Sequence, residues 1–285
     1  ESLITFSNHR YYDGKLLTFP SATHDVEELG VELRSVPDGY YDRGKTRTNR
    51  GEAEAVVREV ISLLTRTEGE IPSVGVVTFS MAQQRLIEDL LDKALLRNPA
   101  IERYFTDQVS EPVFVKNLEN VQGDERDVIL FSICYGPDKS GYMTMSFGPI
   151  NREGGERRLN VAITRARKKN IVFATLDPDA IDLRRTQALG ARHLKEFLTY
   201  VRRRGGGLES SVDSSSQPQS SGLERRIRLR LEALGWKLHN KVGCSGYRVD
   251  LAVLDPEKPG AYLLGINCDG PTYHSSKCAR ERDRL

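Results

Sequence analysis

Residues 155–176, GERRLNVAITRARKKNIVFATL, decide the fold. The first half repeats apolar residues at helical spacing, and the second half is a short apolar run. At 100° per residue, Leu159, Ala162, Ile163 and Ala166 form one stripe. Arg158 and Arg165, seven residues apart, fall within about 20° of each other on its border. The spacing therefore predicts a helix through Ala166 that aims two arginines in one direction, as a fixed anion requires. The run NIVFATL (170–176) then reads as a strand buried on both faces.

Similar runs recur on either side. SVGVVTF (73–79) precedes the amphipathic helix MAQQRLIEDLLDKAL (81–95), and PVFVKNL (112–118) and DVILFSICYG (127–136) are further strands. Unbroken Val, Ile and Phe runs suit a parallel sheet covered on both sides, and alternation with helices gives a doubly wound α/β domain. Segments 73–79, 127–134 and 170–176 are expected as parallel neighbours. NRGEAEAVVREVISLL (49–64) adds a helix with Asn49 and Glu52 spaced as a capping pair.

Residues 202–222, rich in Ser and Gly, bury too little apolar surface to offset their ordering entropy and read as a linker. They divide a domain at 1–201 from a smaller α/β domain at 223–285. The latter opens with the helix GLERRIRLRLEALGW (222–236), striped by Leu223, Ile227, Leu231 and Leu234. Two strands, 247–255 and 261–270, follow around the turn PEKP.

Of the 285 residues, 38% are apolar and 29% charged, and the net charge is +2, so nucleic-acid binding must come from local patches. Cys134, Cys244, Cys268 and Cys278 have no CxxC spacing, which fits a reducing, cytoplasmic compartment and neither a disulfide framework nor a zinc ribbon. His274 between Cys268 and Cys278 matches no common zinc spacing either. No apolar run reaches the roughly 18–20 residues of a membrane span. A start without Met and a stop inside a helix pattern lead us to expect a fragment of a longer protein.

ENVQGDERDVILFSICYG (119–136) and GERRLNVAITRAR (155–167) resemble, in order and spacing, motifs V and VI of superfamily 1 helicases of the Upf-like and Dna2-like branch. VVTFSMAQQRLIEDLL (76–91) is similar to that branch's segment before motif V, and SLITFSNHRYYDGKL (2–16) to the stretch after the motif IV arginine. The resemblance covers roughly residues 1–200. It implies a second RecA-like domain, with Arg165 as the arginine finger for ATP and Arg158 as a second arginine on the same face. Gln122, Gly123 and Glu125 would couple the nucleotide to the nucleic-acid backbone. No GxxxxGK[ST] loop or Walker B acidic pair occurs in the sequence. The resemblance thus places the phosphate-binding lysine and the Mg²⁺ ligands in an upstream RecA-like domain, and this chain alone should not hydrolyse ATP.

GYRVDLAVLDPEKPGAYLLGINCDGPTYHSSKCARERDRL (246–285) resembles restriction-endonuclease-like domains related to very-short-patch-repair nucleases. The family pattern falls on Glu224, Asp250, Asn267, Asp269 and His274. A turn centred on Glu257–Lys258 would set Asp250 opposite Gly265, and alternation would then put Asp250, Asn267 and Asp269 on one face. Such oxygen ligands would hold Mg²⁺ or Mn²⁺. Asn267 departs from the family, which carries Glu there, and weakens the site. The resemblance implies an ATP-dependent DNA helicase or translocase fused to a DNA nuclease, in repair or genome defence. A non-catalytic DNA-binding module and an RNA helicase fragment are the alternatives.

Overall fold

The computed structural model describes residues 2–16, 29–203, 222–243, 248–258 and 260–268. They fall into two compact units. The larger holds 30–203 with Ser2, and the smaller holds 3–16, Leu29 and the described residues from 222 onward.

In the larger unit, β1 (Gly30–Ser35), β2 (Val74–Thr78), β3 (Phe114–Asn117), β4 (Arg126–Ser132) and β5 (Ala166–Ala174) form one sheet in the order β1-β5-β4-β2-β3. Every pairing is parallel. The expected trio, now β2, β4 and β5, lies side by side at its centre. The alternation hidden inside the apolar runs becomes visible here, because it feeds two separate cores. Val74, Val76, Val128, Leu130, Ile171 and Phe173 pack under α2 (Arg50–Leu64) and α3 (Met81–Leu95). Their neighbours Val77, Ile129, Phe131 and Val172 are also buried and point to the opposite face. There Phe131 meets Phe197 of α5 (Leu189–Arg202) edge-on at 6.4 Å. The helix α4 (Gly155–Ile163) packs beside α5. This is a RecA-like arrangement of helices on both faces of a parallel sheet.

Three details differ from the sequence reading. The helix after Gly155 ends at Ile163, not Ala166, and Ala166 already pairs with Arg126 as the first residue of β5. Thr164 closes the last turn through its N–H to the Asn160 and Ala162 carbonyls. The apolar period runs on past that turn only because strand residues follow at once. β1 escaped notice because GVELRS alternates apolar and charged residues on an edge of the sheet, beside β5 alone.

The smaller unit contains α1 (Ser2–Tyr11) except for its first residue, α6 (Gly222–Ala233) and an antiparallel sheet ordered β6-β7-β8. Its strands are β6 (Leu238–Val242), β7 (Val249–Leu254) and β8 (Tyr262–Ile266). β6 was not anticipated, since LHNKV has too few apolar residues to signal a strand. Leu223 on α6 and Leu234 just past its end are exposed while Ile227 and Leu231 are half-buried, so the expected stripe is only partly inward. The buried residue of that helix is Glu224.

Candidate functional site

Arg165 lies in the two-residue link between α4 and β5. Its backbone is fixed twice: its N–H donates to the Ala162 carbonyl (3.0 Å), and its carbonyl accepts from the Arg126 N–H of β4 (3.1 Å). Its side chain is fixed too, with Nε donating to the Val161 carbonyl (2.8 Å) and Nη2 to the Thr164 hydroxyl (3.0 Å). The guanidinium is half-buried, and among the described residues no carboxylate pairs with it. Arg158 stays on α4 and donates to the Glu153 carbonyl at 3.1 Å. Because α4 stops before Arg165, the shared helical face expected for the two arginines does not exist.

The Gln122–Gly123 turn is exposed, and Gly123 adopts φ +89°, a conformation that a side chain would strain. Asp124 beside it holds Lys116 at 2.6 Å. Glu125 reaches Arg167 at 3.5 Å, and Arg167 also binds Asp127 (3.1 Å), Glu111 and the Ser73 hydroxyl (3.1 Å). Arg167 thus gathers three carboxylates at the amino ends of β4 and β5. Its hydrogen bonds hold the Glu111 carboxyl down at about 2. Burial opposes ionisation of Asp127, yet Lys168 and Arg167 still hold its pKa below the ordinary value. The turn before β4 and the arginines after α4 are therefore one connected structure. Sequence reading missed Arg167. The signal available was a second arginine two residues on, facing an Asp-Glu-Arg-Asp run.

At the opposite, carboxyl ends of the strands lies a second group that sequence reading missed. Asn49 caps α2 by accepting from the Glu52 N–H, as the spacing predicts. The reciprocal bond is absent, because the Asn49 N–H goes to Gln83 instead. The fully buried Glu52 carboxylate turns inward and accepts from the Cys134 N–H (2.7 Å), the Ser132 hydroxyl (2.9 Å) and the Thr175 N–H (2.9 Å). The Thr175 hydroxyl (3.0 Å) and Asn49 Nδ2 (3.2 Å) complete the set. Burial raises its pKa to about 7 against the pull of those donors.

In the smaller unit the ladders set Lys241, Asp250 and Asn267 in one cross-strand row. The pairs Asn240–Leu251 and Val242–Val249 place Lys241 opposite Asp250, and Leu251–Ile266 places Asp250 opposite Asn267. The expected partner Gly265 faces Ala252 instead. The observed register lies two residues from the expected one, which leaves the face unchanged, and the irregularity between Val253 and Leu254 accounts for one of the two. Asn267 Oδ1 accepts from the Asp250 N–H (3.3 Å), and Asp250 Oδ2 accepts from the Cys268 N–H (2.8 Å). The Lys241 ammonium binds the other Asp250 oxygen and stands 3.7 Å from Glu224. Burial works against that ammonium, but Asp250 and Glu224 keep its pKa above the ordinary value. Asp269 and His274 lie outside the described residues. A divalent cation does not fit the described ones as they stand, since an amine already sits on Asp250 beside Glu224. Among the described residues no cluster of His, Cys, Asp and Glu could hold a metal.

The sheet order, the turn before β4 and the arginines after α4 define a superfamily 1 helicase-type RecA domain. The chain belongs to the AAA domain family AAA_12, which matches residues 1–177, and its residues 223–285 match the restriction-endonuclease-like family REase_MTES_1575. It is 36% identical over 236 residues to an uncharacterized ATP-dependent helicase of Mycoplasma pneumoniae, covering 81% of this chain and 20% of that protein. It is 40% identical over 202 residues to an uncharacterized ATP-dependent helicase of Mycoplasma genitalium, covering 70% and 17%. The chain thus spans about a fifth of the length of these curated relatives. A solved C-terminal domain of a possible DNA helicase from Lactobacillus plantarum aligns over 51% of this chain and 76% of that one. Its identity is 16% and its TM-score 0.29. Among the described residues no helix is long and apolar enough to cross a membrane.

Proposed function

We propose that this chain supplies the second motor domain of an ATP-driven DNA helicase or translocase, with a nuclease-like domain on the same polypeptide. ATP and its Mg²⁺ would be shared with an upstream RecA-like domain. The carrying observation is Arg165. Two of its five N–H donors fix the guanidinium to Val161 and Thr164. Among the described residues the Nη1 pair and one Nη2 hydrogen have no acceptor, which leaves them for a ligand. A planar, permanently charged fork held this way meets the charge that develops on a transferred phosphoryl group without reorganising during the reaction.

The backbone bond from Arg126 to Arg165 and the Glu125–Arg167 pair support a coupling role for Gln122, Gly123 and Glu125. A change in the turn that meets the nucleic-acid backbone would pull on the segment bearing the finger. Arg158 is the second candidate for the anion. DNA is favoured over RNA because the partner domain is of restriction-endonuclease type, and a role in repair or genome defence follows from that pairing alone. In the smaller domain Glu224, Asp250, Asn267, Asp269 and His274 remain the candidate cleavage residues. A neutral Asn267 favours a domain that binds DNA and cuts slowly or not at all.

Arg165→Ala in the longer protein should lower the rate of ATP hydrolysis by about 10³-fold or more while the fold and DNA binding persist. Hydrolysis within about twofold of wild type would remove the finger role.

A further inference from the structure

The metal expected in the smaller domain and the residues that the structure brings together disagree, and the disagreement has a specific cause. A divalent site needs convergent negative oxygens facing an open point. Here Glu224 and Asp250 do converge, from α6 and from β7, but on the ammonium of Lys241. Lys241 lies directly across the ladder from Asp250, where a cross-strand pair of opposite charge is most favourable. It holds φ +51°, a left-handed conformation that a residue with a side chain adopts only at a cost. Something must hold it there, and the two carboxylates are its charged partners. The charges agree with this. Two carboxylates and one ammonium leave a single negative charge, and Asn267 adds none. An acid at 267 would restore the second charge that a divalent ion neutralises.

We infer that Lys241 is the resident cation of this centre, pinning α6 to β6 and β7 through Glu224 and Asp250 in the place a divalent metal would take. The former metal position then serves as a structural clip, which lets the domain fold and present its surface without metal. Glu224 is the buried residue of an otherwise largely exposed helix. Removing the ammonium would leave two carboxylates facing each other, one of them buried, and a divalent ion could then replace what was lost. The inference rests on reading residues 223–285 as a nuclease-like domain. Loss of DNA binding by the chain would strike that functional reading and leave the metal measurements below untouched.

The test compares wild type, Lys241→Met, Lys241→Arg and Lys241→Met/Asp250→Asn as the 285-residue chain. Melting is followed through Trp236 fluorescence with and without Mn²⁺, and Mn²⁺ binding through the paramagnetic resonance signal of the free ion. Wild type should neither bind Mn²⁺ at this centre at millimolar concentration nor change its melting temperature with it. Lys241→Met should melt several degrees lower and recover with Mn²⁺, and Asp250→Asn in that background should abolish the recovery. Lys241→Arg should behave as wild type. If Lys241→Met does not fold without metal, folding on Mn²⁺ addition supports the clip, and failure to fold with Mn²⁺ counts against it. Wild type that binds Mn²⁺ in an Asp250-dependent way, or a Lys241→Met protein as stable as wild type, overturns the inference.

Discussion

Glu52 shows how one buried side chain can outgrow the role its spacing assigns. Asn49 and Glu52 are legible as a cap, and the cap forms. No local pattern reveals that the carboxylate instead ties the ends of β4 and β5 to α2, because its donors come from residues 132, 134 and 175. Its folded pKa of about 7 lies above the unfolded value near 4.5, so the folded state binds the proton more tightly. Its stabilising contribution is complete below about 4.5, falls as pH rises, and is lost by about 7. Urea unfolding followed by circular dichroism should therefore show wild type losing ground to Glu52→Gln between pH 4.5 and 7. The change should be on the order of 3 kcal/mol at most, with the difference level above pH 7. A wild-type advantage that grows with pH would mean that five donors outweigh burial and that the carboxylate is ionised throughout. Arg167 was hidden for a similar reason: its partners Glu111, Glu125 and Asp127 meet it only once β4 and β5 lie side by side.

At the scale of elements, α4 decides how well Arg165 is positioned. Its nine residues give it little stability of its own, so its ends must be held by packing. Thr164 and the Asn170 side chain, which donates to the Ile163 carbonyl at 2.9 Å, hold the carboxyl end. At the amino end, a Cβ on Gly155 or on Gly190 of α5 would collide with the carbonyl of Ile150, so both helices start against the same peptide. Gly155→Ala should cost about 1–3 kcal/mol in chemical unfolding, with helix content retained in circular dichroism and Arg165-dependent ATP hydrolysis lowered in the longer protein. Unchanged stability would show that the loop before α4 yields freely. The central strands were legible because they are unbroken apolar runs. β1 and β6 were not, because charged and polar residues dominate them, and their pairing depends on neighbours distant in sequence. The end of α4 was misplaced because periodicity cannot distinguish a helix from a helix that turns directly into a strand.

For the whole molecule, the two units carry opposite electrostatic designs. In the larger, Arg165 is a cation with no acidic partner among the described residues, as the proposed finger role requires. In the smaller, the acids Glu224 and Asp250 already have their cation in Lys241. The order of the motifs made both halves legible from sequence, but the cation could not be read, since β6 and its register exist only in three dimensions. Position 267 lies on the same row as Asp250, directly across from it. Asn267→Glu should therefore bring a second full charge to the Asp250 carboxylate and raise Mg²⁺- or Mn²⁺-dependent DNA cleavage in the longer protein. With Lys241 in place the gain should be partial, and Lys241→Met in the same protein should increase it further. Asp250→Ala should abolish cleavage in either background. Cleavage is read on supercoiled plasmid with and without chelator. A wild-type sequence that already cuts DNA with divalent metal would show that Asn267 is no defect. If Asn267→Glu/Lys241→Met binds Mn²⁺ yet leaves the plasmid intact, the domain is a DNA-binding module, and the motor rather than the nuclease carries the chemistry of the protein.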